Sequence, residues 1–190
     1  MGEHAVLVFI AIAIAIILGI IIGILITYSK PASHAALWIC QILMTIPSLA
    51  MFGLLLPFFG IGFKTGVTTL ILYSLLPIVR NTYTGIKEID PSILEAAQGM
   101  GMKESSILFR IKLPLAAPVI MAGVRTATVM IIGIAAIASY IGAGGLGHFI
   151  FQGINRWNMN MVLLGAIAVS ILAIIVDFLM KKVEHRMVTK

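Results

Sequence analysis

The sequence predicts an all-α membrane protein of about five transmembrane helices, and three observations carry that prediction. Of the 190 residues, 61% are hydrophobic and 11% charged, with a mean hydropathy of +1.13; soluble domains hold roughly 45–50% apolar and about 25% charged residues. The apolar runs reach about 20 residues or more, enough to cross about 30 Å of hydrocarbon at about 1.5 Å per residue. They also lack the two-residue alternation of a membrane barrel, which leaves helices as the spanning structure.

The first span is expected over Ala5–Thr27, the second over Ala35–Phe59, the third over Gly66–Gly85, the fourth over Leu115–Ser139 and the fifth over Met159–Met180, all within one domain, residues 1–190. The third is the least apolar, because "RNTYTG" follows Val79; its end is expected to project into water or a polar cavity. The first begins "MGEH", with no Lys or Arg, and its apolar run exceeds the roughly 7–15 residues of a signal-peptide core, so it is expected to stay in the mature protein. The single cysteine, Cys40, lies inside an apolar run and is expected to be a packing residue.

Lys30, Arg80, Lys87, Lys103, Arg110, Lys112, Lys181, Lys182, Arg186 and Lys190 fall on one side of this layout, against Lys64 and Arg156 on the other. Basic loops stay cytoplasmic, so the N-terminus is expected outside and the C-terminus inside. The net charge of +6 is then a topology signal, with no nucleic-acid partner implied. The thirteenth basic residue, Arg125, lies inside span four, where a guanidinium is costly unless bonded; backbone carbonyls or Asp177 near the end of span five are its expected partners.

The loop over residues 88–114 breaks the apolar pattern. In "EIDPSILEAAQGMGM", either Asp90 caps a helix with Pro91 at its first position, or Ser92 caps it with Glu95 in a capping box. Gly99 or Gly101 then offers a left-handed exit, and "KESSILFRIK" is expected to form a second short helix before Leu113 and Pro114 restart the chain into span four. A slim helix fastened at both ends to membrane helices is either a docking element or an amphipathic interfacial hairpin that merely connects two spans.

That loop carries a resemblance. Glu95-Ala96-Ala97, then Gly101 after three intervening residues, Ile111 after nine more, and Leu113 and Pro114 closing, resemble the EAA loop of permease subunits of type I ATP-binding-cassette importers. The resemblance implies that fold, a non-catalytic role, and a cytoplasmic coupling helix seated on a separate ATPase. Glu95, Ala96, Ala97 and Gly101 would form its contact surface, and Ile111, Leu113 and Pro114 its anchor. Implied partners are two ATPase copies that use ATP and Mg, a second permease copy or a paralogous permease, an extracytoplasmic substrate-binding protein, and the lipid of a bacterial plasma membrane crossed many times. This chain itself carries no cofactor under that reading. It contains no G-x-x-x-x-G-K-S/T phosphate cradle. "GAGGLG", Gly142 to Gly147, matches G-x-G-x-x-G but follows a membrane span, so it is expected to be a flexible outer turn leading to an interfacial segment, "HFIFQGINRW", anchored by Trp157. His4, His34, His148 and His185 do not pair at metal-ligand spacing.

"TIPSLAMFGLLLPFFGIG", "LLPIVRNTYTGI", "MAGVRTAT" and "IGAGGLG" resemble the osmoprotectant branch, the permeases for glycine betaine, carnitine and choline. Quaternary ammonium groups favour aromatic faces, which makes Tyr73, Tyr140, Phe52 and Phe58 candidates for the path. Pro47 and Pro77 are expected to interrupt spans two and three, as static kinks or gating hinges. Gly19 and Gly23 in "GIIIG" fit close helix packing. The alternatives are a type I importer for amino acids or methionine and a small self-sufficient carrier; the scarcity of intramembrane ionisable residues speaks against the carrier.

Overall fold

The computed structural model describes residues 2–188, so Lys190, counted above in the basic tail, lies outside the described residues. The helices are α1 (Gly2–Leu25), α2 (Lys30–Thr45), α3 (Ser48–Phe59), α4 (Phe63–Lys87), α5 (Pro91–Gly99), α6 (Glu104–Ile107), α7 (Leu113–Ala138), α8 (Gly147–Asn155) and α9 (Met159–Val188), and the described residues contain no strand. Segments 2–28, 104–141 and 159–187 are long and apolar enough to cross a membrane, and α2 with α3 makes a fourth if that bent pair is one span.

The core is the contact of α1, α4 and α7, with α2 and α3 laid against α4, and α9 against α7 and α8. Close approach explains the "GIIIG" pattern: a Cβ on Gly19 would lie 2.6 Å from the Ile78 side chain and one on Gly23 2.5 Å from Thr82. The pair therefore packs α1 against α4 within the chain. Cys40 is buried beside Ile26, Leu75, Leu76 and Val79, as a packing residue should be.

The third predicted span is longer and more continuous than its pattern suggests. α4 runs unbroken through Pro77 and through "RNTYTG", so Pro77 does not interrupt it. α4 carries many polar side chains because protein, more than lipid, surrounds it. Its hydroxyls bond mainly to backbone, Ser74 to the Leu70 carbonyl at 2.8 Å and Thr82 to the Ile78 carbonyl at 2.8 Å, which satisfies polar groups that burial would otherwise penalise.

Pro47 does break its span. The second span is two helices, α2 beginning five residues ahead of the expected start at Ala35, and α3 turned by 103° from it. A proline without N–H cannot continue the ladder of α2, and it disfavours helical backbone at the preceding residue; Ile46 is accordingly extended. α3 is held at both ends from α4: Tyr73 donates its hydroxyl to the Ile46 carbonyl at the break, and Thr65 donates to the Gly60 carbonyl that follows α3.

Leu113 and Pro114 do not restart the chain. A wide turn over Leu108–Lys112 carries α6 straight into α7, with the Leu113 N–H donating to the Leu108 carbonyl five residues back. Widening the turn relieves the clash between the Pro114 ring and the preceding carbonyls.

Candidate functional site

α5 is defined at both ends by its own sequence. Of the two possible caps, Asp90 is the one used: its carboxylate accepts the Ser92 N–H at 2.9 Å, with Pro91 at the first helical position. Hydrogen bonds from Ser92 hold the Asp90 carboxyl below the usual carboxylate range. At the other end the Gly101 N–H donates to the Gln98 carbonyl at 2.9 Å and the Met102 N–H to the Ala97 carbonyl at 3.2 Å. That is the Schellman arrangement, which needs a left-handed residue after the cap; Gly101, at φ 75°, supplies it, whereas Gly99 remains helical.

Between those ends α5 makes no more than marginal contact with any other helix. Glu95, Ala96 and Gly101 are exposed, and Met100 and Ile93 beside them are exposed hydrophobics, Met100 at 74%. Ala97 differs from the other three, since it is 1% exposed and faces inward. Ile111 and Leu113 are half-buried and Pro114 exposed, with Leu113 packed against the main core. The arrangement is a short capped helix, held out from the bundle, with an apolar and partly acidic face that none of the described residues covers.

The remaining candidates do not assemble into one place. Tyr73 and Phe52 are buried in the core, while Tyr140 and Phe58 are exposed. Tyr140 lies against Phe151, with ring centroids 5.2 Å apart. Tyr73 reaches the Ile46 carbonyl, one residue before Pro47, at the α2–α3 break.

Arg125 finds the expected partner and one more. Its Nε and Nη2 donate to the two Asp177 oxygens at 2.6 and 3.0 Å, and Nη1 donates to Glu184 at 3.1 Å. This fork ties α7 to α9. Glu184 was not visible as a partner in the sequence, although it stands seven residues beyond Asp177, two turns along the same helix face.

The glycine-rich turn is pinned, contrary to the flexible turn expected there. Glu3 accepts the Gly145 N–H at 3.2 Å, and the fully buried His4 accepts the Leu146 N–H at Nδ1 (3.4 Å) while donating from Nε2 to the Ile132 carbonyl (3.1 Å). The start of α1 thereby holds the turn against α7. Gly142, Gly144 and Gly145 all have positive φ. α8 follows and packs on the start of α9, with Trp157 97% exposed at the turn between them.

A family model described as the binding-protein-dependent transport system inner membrane component matches residues 6–189. The chain is 40% identical over 189 residues to the glycine betaine/carnitine/choline transport system permease protein OpuCB of Bacillus subtilis (strain 168), covering 100% of this chain and 87% of that protein. It is also 43% identical over 187 residues to the osmoprotectant import permease protein OsmW of Salmonella typhimurium, covering 96% and 87%. Among solved structures, an inward-facing conformation of the MetNI methionine transporter aligns with a TM-score of 0.86, 21% identity, and coverage of 98% of this chain and 93% of that one. At that identity the likeness concerns the fold alone.

Proposed function

Since the chain belongs to the family of inner membrane components of binding-protein-dependent transport systems, we propose that it is the permease of an ATP-driven importer for osmoprotectants of the glycine betaine, carnitine and choline class. The observation that carries the coupling part of this reading is α5, a capped helix standing off the bundle with Glu95, Ala96 and Gly101 uncovered. The names of relatives at about 40% identity over nearly the whole chain support the substrate class.

In this reading the chain crosses the membrane five times, with α4 as the span shielded by its neighbours, the N-terminus outside and α5 in the cytoplasm. Two copies, or one copy with a paralogous permease, enclose the pore. Two ATPase subunits seat α5 and supply the energy from ATP and Mg, and an extracytoplasmic binding protein delivers substrate. ATP binding draws the ATPases together, α5 follows, and the helices rock from inward-open to outward-open. The two-part second span offers a joint for that motion, at Ile46–Pro47 under the Tyr73 hydroxyl.

The test is uptake of radiolabelled glycine betaine by proteoliposomes holding this chain, its ATPase and its binding protein. Uptake is expected only with ATP, and is expected to collapse on Gly101→Trp. ATP-independent uptake by the chain alone would overturn the importer reading. ATP hydrolysis without uptake of any of the three compounds would overturn the substrate class and leave the coupling intact.

A further inference from the structure

A cavity of about 240 Å³ lies at the root of α5, where the chain leaves α1 and α4 and re-enters α7. Two lysines line it, Lys87 from the last turn of α4 and Lys112 immediately before α7, with Tyr28 beside them and Ile86, Ile89 and Leu94 as an apolar wall. Neither lysine takes part in an ion pair, since both salt bridges among the described residues belong to Arg125. No carboxylate lines the cavity: Asp90 is engaged with Ser92, and Glu88 is exposed outside it.

Two lysines without an ion-pair partner, in a lining that holds no carboxylate, favour an anion in the cavity. From this we propose that the cavity binds the phosphate of an anionic phospholipid headgroup. Two features favour lipid over free phosphate. The cavity sits at the common end of α1, α4 and α7, level with the ends of two apolar spans, and its wall of Ile86, Ile89 and Leu94 suits the glycerol and first acyl carbons. The headgroup lies between α5 and the helices it departs from, so its occupancy sets how α5 is held out. This assignment stands on the cavity itself and does not depend on the substrate.

The experiment uses the full chain in phosphatidylcholine nanodiscs, titrated with a photoactivatable phosphatidylglycerol, with crosslinks mapped by peptide mass spectrometry. Crosslinks are expected around Tyr28 and across residues 86–94. Lys87→Ala with Lys112→Ala is expected to raise the half-saturating fraction roughly thirtyfold, at about fivefold per lysine near an anionic headgroup. Lys87→Arg with Lys112→Arg should keep it, and Lys181→Ala with Lys182→Ala, which removes equal charge elsewhere, should leave it unchanged. Should the double alanine chain fail to fold, Lys112→Gln alone is expected to give roughly a fivefold rise. The proposal is overturned if Lys87→Ala with Lys112→Ala, or Lys112→Gln, labels like the wild type, if a photoactivatable phosphatidylcholine labels equally, or if only inorganic phosphate, and no lipid, competes for the site.

Discussion

At Gly123 on α7, an added Cβ would lie 2.6 Å from the Pro77 carbonyl oxygen of α4 and 2.7 Å from Asn81; at Gly99 and Gly101 around α5, nothing lies within 4 Å. The core and the α5 loop thus use the same residue for unrelated reasons. In the core, glycine is demanded by another helix of this chain, and its removal is a packing fault. In the loop, Gly101 is demanded by its own backbone and Gly99 by nothing in this chain, so any further constraint on them must come from what sits against α5. Where a helix is held by its own chain, its side chains report stability; where it is held out, they are released from that demand.

Gly123→Ala should cost far more than any methyl added to the α5 loop. The obstructing atom is a backbone carbonyl, which yields only if α4 and α7 separate, and overpacking of that kind costs about 3 kcal/mol or more. The thermal midpoint of the detergent-solubilised protein should fall steeply. A variant as stable as the wild type would mean that α4 and α7 are not packed as closely as described.

Tyr73→Phe probes the joint between α2 and α3. It keeps the ring in the core and removes the hydroxyl that serves the Ile46 carbonyl, costing a partly buried acceptor its partner at about 1 kcal/mol. If Tyr73 instead acted on substrate, Phe would alter the affinity for transported compound with little change in thermal midpoint. Both quantities can be measured on one preparation.

Gly101→Ala is a smaller perturbation of stability, about 1–2 kcal/mol for a left-handed L-residue, and the loss is local to the end of α5. Gly101→Asn should recover part of it, because asparagine tolerates that backbone. Hydrogen exchange of the Met102 N–H, which closes the Schellman arrangement, should speed up in the alanine variant and much less in the asparagine one. Equal exchange in all three would detach Gly101 from the capping role.

Local chemistry made some of this molecule legible in the sequence, and long-range contact hid the rest. The Asp90–Pro91 start of α5 and its glycine exit are short-range signals and appear in the structure, with the choice between Asp90 and Ser92 decided by one hydrogen bond. Arg125 and Asp177 could be paired because unpaired charges are costly in a membrane, so few partners were admissible. Pro47 and Pro77 could not be told apart, since either can kink or break a helix. What separates them is that α3 has somewhere to fold, with Thr65 and Tyr73 reaching across to its two ends, and neither residue's neighbours in sequence reveal that. The polar character of α4 likewise reflects its place among other helices, which no window of its own residues encodes.

The smallest expected effect divides the two regions most sharply. Gly99 is the last residue of α5, helical, and open on all sides. Alanine suits a helix better than glycine by about 0.5–1 kcal/mol in an interior position and less at an end, so Gly99→Ala should leave the thermal midpoint of the isolated chain unchanged or slightly raised. The same variant in the assembled transporter is a different measurement, because under the proposed coupling a methyl group then meets the ATPase. A fall in ATPase affinity with no fall in stability assigns the Gly99 surface to the partner. Unchanged affinity means that the partner leaves room for a methyl over Gly99, which lies between Glu95 and Ala96 on one helix face; a bulky substitution at Ala96 should then disrupt docking and leave the fold intact.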